Sequence, residues 1–226
     1  IICEPVMFSN CCILPQTGFL EDLRKITEHY GIVLIFDEVV TGFRLALGGE
    51  QEHFNVTPDL SVFGKGFAAG LPMAGFGGRE EIMRLISKNI MPAIGTYNGN
   101  PLCVVGALAA VRELARDDAA VIKQINETGK TLKTGFNKIF KALDHPLRAV
   151  GCDSIFCLIS SDLELKNYRD TFHLDRTLMT RFHKAMMDLG VWYMGRGNFM
   201  ISAAHTDDDI TKTLRRARNI LEGQLI

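Results

Sequence analysis

Ile32-Val33-Leu34-Ile35-Phe36-Asp37-Glu38-Val39 is the stretch that decides the fold. Its five leading apolar residues present apolar side chains on both faces of an extended chain, as a strand covered on both sides of a parallel sheet requires. Just upstream, residues 18–30 place Phe19, Leu23 and Ile26 on one helical face, and Gly31 can close that helix. A helix running into a doubly apolar strand predicts an α/β fold with a mostly parallel sheet and this strand in its middle. Asp37 and Glu38 then fall at the strand's carboxyl end, where open α/β sheets bind ligands. A carboxylate moved there from water loses much of its solvation unless a cation or good donors replace the water. Two readings stay open: an ion pair with nearby Arg44 or a helix cap, and a positively charged ligand facing Asp37.

Further along, residues 60–63 form a short apolar run that leads into Gly64-Lys65-Gly66, with Ala68, Ala69 and Gly70 after it. A lysine among such small residues is suited to close approach of a ligand to the backbone, although a glycine-flanked lysine is by itself only a loop lysine. Both candidate groups sit at strand ends. Together they suit pyridoxal 5′-phosphate (PLP): an amine bonds its carbonyl carbon, and a carboxylate keeps its pyridine nitrogen protonated so that the ring accepts electrons. Val39, two residues past Asp37, points to the same side of an extended chain and can pack on the ring face or simply fill core. Gly95-Thr96-Tyr97-Asn98-Gly99-Asn100-Pro101 precedes a helix and offers donors for a phosphate, or serves only as a turn and helix start.

The rest of the chain reads as strand 73–78, helix 79–87, an Ala-rich helix 101–116 opened by Pro101, and a helix after Asp117 with one apolar face. From about residue 147 short strands (147–150, 155–160, 191–194, 199–202) alternate with helices near 174–189 and 207–221, the pattern of a smaller α+β domain. Thr206 and Asp209 form a candidate capping box. The expected division is residues 1–116, a large-domain portion with a linking helix, and 117–226, the small C-terminal domain.

In 226 residues, 25 basic and 26 acidic side chains give a formal charge of -1, without the basic field that nucleic acid or an anionic membrane would call for. Six cysteines without a CxxC spacing favour a reduced cytoplasmic protein, and no apolar run is long enough for a membrane span. The histidines show no metal spacing, so no metal is expected. Trp192 and Tyr193 read as core, and Arg196 as a surface turn. Gly129-Lys130-Thr131 is a tempting phosphate-loop end, but Gln124 stands where such a loop needs glycine and the stretch reads as helix interior.

Glu4-Pro5-Val6, residues 35–44 (IFDEVVTGFR), Pro58-Asp59-Leu60, Gly64-Lys65-Gly66, residues 70–79 (GLPMAGFGGR) and residues 95–102 (GTYNGNPL) occur in order. In these motifs the chain resembles the class III aminotransferases of fold-type I, closest to the glutamate-1-semialdehyde aminomutase branch and its transaminase relatives. The resemblance implies the aspartate aminotransferase-like fold. It implies Lys65 as the Schiff-base lysine and proton carrier, Asp37 on the pyridinium, Val39 behind the ring, and Gly95 and Thr96 at the phosphate. It further implies a homodimer with a shared active site, amino and oxo substrates, and amino transfer, with intramolecular aminomutase chemistry as the alternative. A catalytically dead binding paralogue is disfavoured by the presence of Asp37 and Lys65. Because the chain starts with Ile1 in a strand-like run, it reads as the C-terminal part of such an enzyme. The piece alone is then expected to turn over nothing, which an assay for transamination by the purified chain checks.

Overall fold

The computed structural model describes residues 1–223. The chain divides into two compact units, one of Ile1–Pro5 with Thr17–Ile122, the other of Val6–Gln16 with the chain from Lys123 onward.

The first unit is built on a four-stranded sheet of order β1 (Ile2–Cys3), β2 (Ile35–Glu38), β3 (Leu60–Phe63) and β4 (Gly75–Gly78). β2 pairs in parallel with both β1 and β3, while β4 returns antiparallel to β3. The predicted central strand is therefore central, but it starts three residues late. Ile32 still donates its N–H to Thr27 O at the end of helix α1 (Phe19–His29), and both Ile32 and Val33 are exposed. Pairing with β1 begins at Ile35, so Asp37 and Glu38 are the last two residues of the strand rather than the first beyond it. Helix α1 is also rotated from the expected face: Leu20 and Thr27 are buried, with Leu23 packed beside them, whereas Phe19 and Ile26 are exposed. The core here is Leu20, Leu34, Phe36 and Val56.

One buried carboxylate ties these parts together. Asp59, the residue before β3, accepts the Leu34 N–H at 2.7 Å, Arg24 Nη1 of α1 at 3.0 Å and Arg79 Nη1 at 3.0 Å. Its own backbone N–H donates to Leu34 O at 2.8 Å. Burial alone would raise the Asp59 pKa, but the Leu34 N–H and the two guanidinium groups outweigh it and hold the carboxyl below the usual range. Arg79 is also the residue before helix α3 (Glu80–Ser87), and a short helix α2 (Glu50–His53) follows the β2 turn.

Helical segment α4 (Pro101–Ala142) is broken at Arg116–Ala119, where Asp117, Asp118 and Ala119 take positive φ, so the predicted stop near 116 is a real break. Gly129-Lys130-Thr131 lies inside its second half, and a Cβ at Gly129 would stand 2.2 Å from Asp153 O. That glycine serves close packing and cradles no phosphate.

In the second unit an antiparallel sheet of order β5 (Leu147–Cys152), β6 (Ile155–Ser160) and β7 (Asn198–Met200) carries helices α5 (Arg176–Asp188) and α6 (Asp207–Glu222). The Thr206–Asp209 capping box forms at α6. Phe156 and Leu158 of β6 face an aromatic core in which Phe199 stacks on Phe156 (4.8 Å between ring centres) and on Tyr193 (4.4 Å). β6 is buried along its whole length. The alternate residue Cys157 faces the segment Val6–Gln16: Asn198, paired with Cys157, donates to Phe8 O at 2.7 Å. A strand apolar on both faces needs two covers, and this segment supplies the second. The expected strand 191–194 pairs with no ladder: Val191 and Tyr193 are buried, but Met194 closes a turn with Asn198 at 3.2 Å, and Trp192, read as core, is 76% exposed. Among the described residues no helix is long and apolar enough to cross a membrane.

Asp59→Asn keeps the size but removes the charge shared by two guanidinium groups and Leu34 N–H; it should lower unfolding stability by about 2–4 kcal/mol in urea titrations. Because the folded pKa is depressed, this stabilisation is present above the ordinary Asp range and should fade as pH falls below it.

Candidate active site

The register of β2 and β3 sets the site. Ile35↔Leu60 and Asp37↔Val62 place these four side chains on one sheet face, only half-buried; Phe36, Glu38 and Ser61 are buried on the other. Asp37 Oδ1 accepts the Val39 N–H at 3.0 Å, which fixes the carboxylate at the strand end. Among the described residues no ion pair involves Asp37, so the Arg44 bridge that the sequence left open is not made. The Arg44 guanidinium lies instead towards Gly66, where a Cβ would be 3.8 Å from Nη2.

Lys65 opens the 3₁₀ turn Lys65–Ala68 directly after β3 and is exposed. Its φ of 46° is left-handed, a conformation that costs a side-chain-bearing residue about 1–2 kcal/mol. Gly64 before it is extended, and a Cβ there would press within 3.2 Å of Val39 Cγ1. Val39 therefore packs on the bare backbone next to Lys65. Asp37, Val39 and Lys65 thus gather at the carboxyl ends of two adjacent parallel strands, and Phe43, Phe63 and Phe67 cluster beside them with ring centres 5.4 to 6.3 Å apart.

Gly95 and Thr96 are in an exposed turn closed by Asn98 N–H on Gly95 O at 3.0 Å. Among the described residues no hydrogen bond joins them to Asp37 or Lys65. Asn100 caps α4 by accepting from Leu102 and Cys103 N–H at 3.0 and 3.3 Å.

Sequence reasoning missed a buried carboxylate pair under this strand end. Glu38 is 1% and Glu50 0% exposed; Glu38 Oε2 accepts the Glu50 N–H at 2.6 Å, and Glu38 Oε1 and both Glu50 carboxyl oxygens have no hydrogen-bond partner among the described residues. Burial pushes the Glu38 carboxyl up to about 7, and burial followed by Glu38 itself pushes Glu50 up to about 8. Each carboxyl of the pair therefore holds its proton well above the usual carboxylate range. Gly49, with φ 77° and ψ -159°, makes the approach possible: its Cβ would overlap Glu38 Oε2 at 2.1 Å. Gly48-Gly49 ahead of a glutamate was the available signal, but only folding brings it beneath Glu38.

The family model for class III aminotransferases matches residues 1–221. The chain belongs to the class III aminotransferase family. It is 38% identical over 226 residues to a glutamate-1-semialdehyde 2,1-aminomutase of Methanobrevibacter smithii, covering 98% of this chain and 52% of that protein. To a protein of the same name from Methanothermobacter thermautotrophicus it is 39% identical over 228 residues, covering 99% and 53%. Among solved structures, an omega-transaminase from Sphaerobacter thermophilus superposes with a TM-score of 0.91 at 29% identity, over 98% of this chain and 51% of that one. The chain therefore spans about half the length of the relatives it matches. Family membership indicates pyridoxal 5′-phosphate as the cofactor.

Both buried glutamates have folded pKa values above the unfolded carboxylate value of 4.5. The protonated pair is therefore favoured by folding at low pH, and this contribution is lost as pH rises from the unfolded carboxylate range through about 8. Glu50→Gln should flatten the decline and raise stability at pH 8.5 by about 1–3 kcal/mol, measured by denaturant unfolding across pH.

Proposed function

We propose that the protein transfers amino groups with PLP between an amino acid or amine and an oxo acid or aldehyde. The observation that carries this reading is the placement of Asp37 and Lys65 at the ends of neighbouring parallel strands, the carboxylate without an ion-pair partner among the described residues and the lysine in a strained exposed turn. These residues fit the cofactor. A buried or half-buried carboxylate without a cation is costly, and a protonated ring nitrogen would relieve Asp37. The Gly64 backbone, bare of a side chain, lies beside Val39, which suits a wall for a flat ring.

When bound, the cofactor supplies an electron sink for the bond broken at the substrate Cα. Asp37, held by the Val39 N–H, would face the ring nitrogen and favour its protonated form. Lys65 would hold the cofactor through its ε-amine and, when a substrate amine displaces it, would serve as the base for the Cα proton. Its exposed turn leaves that amine free to move. Residues 1–116 are read as the cofactor-binding portion and 117–226 as the small domain.

The second reading, intramolecular amino transfer of the aminomutase kind, is favoured by the names of the two relatives at 38% and 39% identity. It would use the same residues and differ in that the amine returns to a neighbouring carbon of the same substrate. We further read the enzyme as a homodimer in which Gly95 and Thr96 reach the phosphate of the partner's cofactor. The exposure of Ile94, Tyr97, Leu102 and Val105 around that turn supports an association surface. Cysteines outside any disulfide among the described residues support a cytoplasmic setting.

Full-length protein mixed with PLP should show a visible absorbance that borohydride bleaches, leaving the cofactor mass on the peptide containing Lys65; Lys65→Ala should show neither. If the chromophore persists in Lys65→Ala, the assignment fails. Asp37→Asn should keep the adduct but slow amino transfer about 10²–10⁴-fold. Thr96→Ala should weaken PLP binding about tenfold with the dimer intact on size exclusion. Release of an oxo acid from a donor in a single half-reaction separates transaminase from aminomutase.

A further inference from the structure

The loop between β2 and α2, residues 39–49, borders both groups of the proposed site. Val39 at its start gives its N–H to Asp37 Oδ1 at 3.0 Å and lays Cγ1 on the bare Gly64 backbone beside Lys65. Phe43 in its middle takes a left-handed φ of 61° and stacks on Phe67, within the turn that Lys65 opens, with ring centres 5.9 Å apart. Whatever fixes this loop therefore bears on Asp37 and on the Lys65 turn together.

Glu38 holds the loop at both ends. Its carbonyl oxygen accepts the Gly42 N–H at 2.9 Å and closes the first turn; its side chain reaches across so that Oε2 accepts the Glu50 N–H at 2.6 Å. The chain approaches this residue closely at both places. A Cβ at Gly42 would stand 2.8 Å from Glu38 O, and one at Gly49 would stand 2.1 Å from Glu38 Oε2. Within the loop, Arg44 N–H bonds Thr41 O and Gly49 N–H bonds Ala46 O, each at 3.1 Å. Those bonds join near neighbours, whereas the Glu38 side chain joins the far end of the loop to the strand. The position is costly for a carboxyl: Glu38 is 1% exposed, and its Oε1 has no hydrogen-bond partner among the described residues. An apolar side chain would fill this space without that cost, but would leave the Glu50 N–H without its acceptor.

We propose that Glu38 is a positioning residue for amino transfer: its side chain latches residues 39–49 against the end of β2, and the closed loop holds the Asp37 carboxylate and Val39 where the ring of PLP meets them. The inference rests on the reading of Asp37 and Lys65 as a PLP site.

A latch acts through populations. PLP binds the closed fraction, so its apparent dissociation constant rises as that fraction falls. Oε2 can accept a hydrogen bond whether the carboxyl is ionised or carries a proton on Oε1. The bond therefore needs an oxygen at that place and not a charge. A glutamine carbonyl meets the need, and a leucine of similar size does not.

The test uses the full-length protein. Without cofactor, hydrogen exchange followed by mass spectrometry should find residues 39–50 protected in the wild type and exchanging about tenfold faster in Glu38→Leu, with α1 and β3 unchanged. Glu38→Gln should restore the protection. PLP titrated into the same proteins should bind about tenfold more weakly to Glu38→Leu, and as tightly to Glu38→Gln as to the wild type. At saturating PLP, borohydride should still fix the cofactor on Lys65 in all three. Gly49→Ala, which crowds Oε2 and leaves Glu38 in place, should behave as Glu38→Leu does. The proposal is overturned if Glu38→Leu binds PLP as the wild type does, or if Glu38→Gln fails to restore both protection and affinity. It is equally overturned if the faster exchange reaches α1 and β3 to the same extent, as a merely structural role predicts. A wild-type protein that forms no adduct on Lys65 sinks the PLP reading instead, and the exchange pattern, taken without cofactor, still reads the latch.

Discussion

The Asp59 carboxylate is the contact on which the first unit depends. A parallel ladder starting at Ile35 leaves the Leu34 N–H just outside β2 with no strand to accept it, and a buried donor without a partner is expensive. Asp59 accepts it, while its own N–H returns a bond to Leu34 O. A carboxylate so deep in the fold needs countercharge, and Arg24 from α1 and Arg79 before α3 supply it. Fixing residue 59 against residue 34 fixes the pairing of β2 with β3. Everything at the strand ends follows from that register: Asp37 beside Val62, and the Lys65 turn one step beyond.

Those strand ends gather several unfavourable local features. Lys65 holds a left-handed backbone, Glu38 and Glu50 bury carboxyl oxygens without partners, and Gly49 occupies a region open only to glycine. Such features persist only where surrounding structure over-determines them, here the ladders to β1 and β3 and the core of Leu20, Leu34, Phe36 and Val56. Asp37 lies on one face of β2 and the glutamate pair, whose carboxyls burial holds above the usual range, on the other.

The second unit is held differently. An aromatic stack of Phe156, Phe199 and Tyr193 fills one side of its sheet, and a segment from near the start of the chain covers the other. The continuous apolar run of β6 already required covers on both faces; which distant residues provide the second cover is a matter of long-range packing that no local pattern encodes.

Sequence alone was enough for the mostly parallel sheet, the central place of β2, the α6 capping box and the family, because these depend on apolar periodicity, local hydrogen-bonding residues and motif order. Asp37 and Lys65 were visible as a carboxylate and an amine at successive strand tips. The tertiary structure decided the rest. It started β2 at Ile35, because the end of α1 keeps Ile32 and β1 reaches only to Ile35. It left residues 191–194 without a ladder, because the chain turns at Met194. It brought together Glu38 with Glu50, and Asn198 of β7 with Phe8. Periodicity reports which face of its own element a residue occupies. The partner that face meets across a long loop is set by packing and by satisfying buried polar groups, and those are properties of the assembled chain.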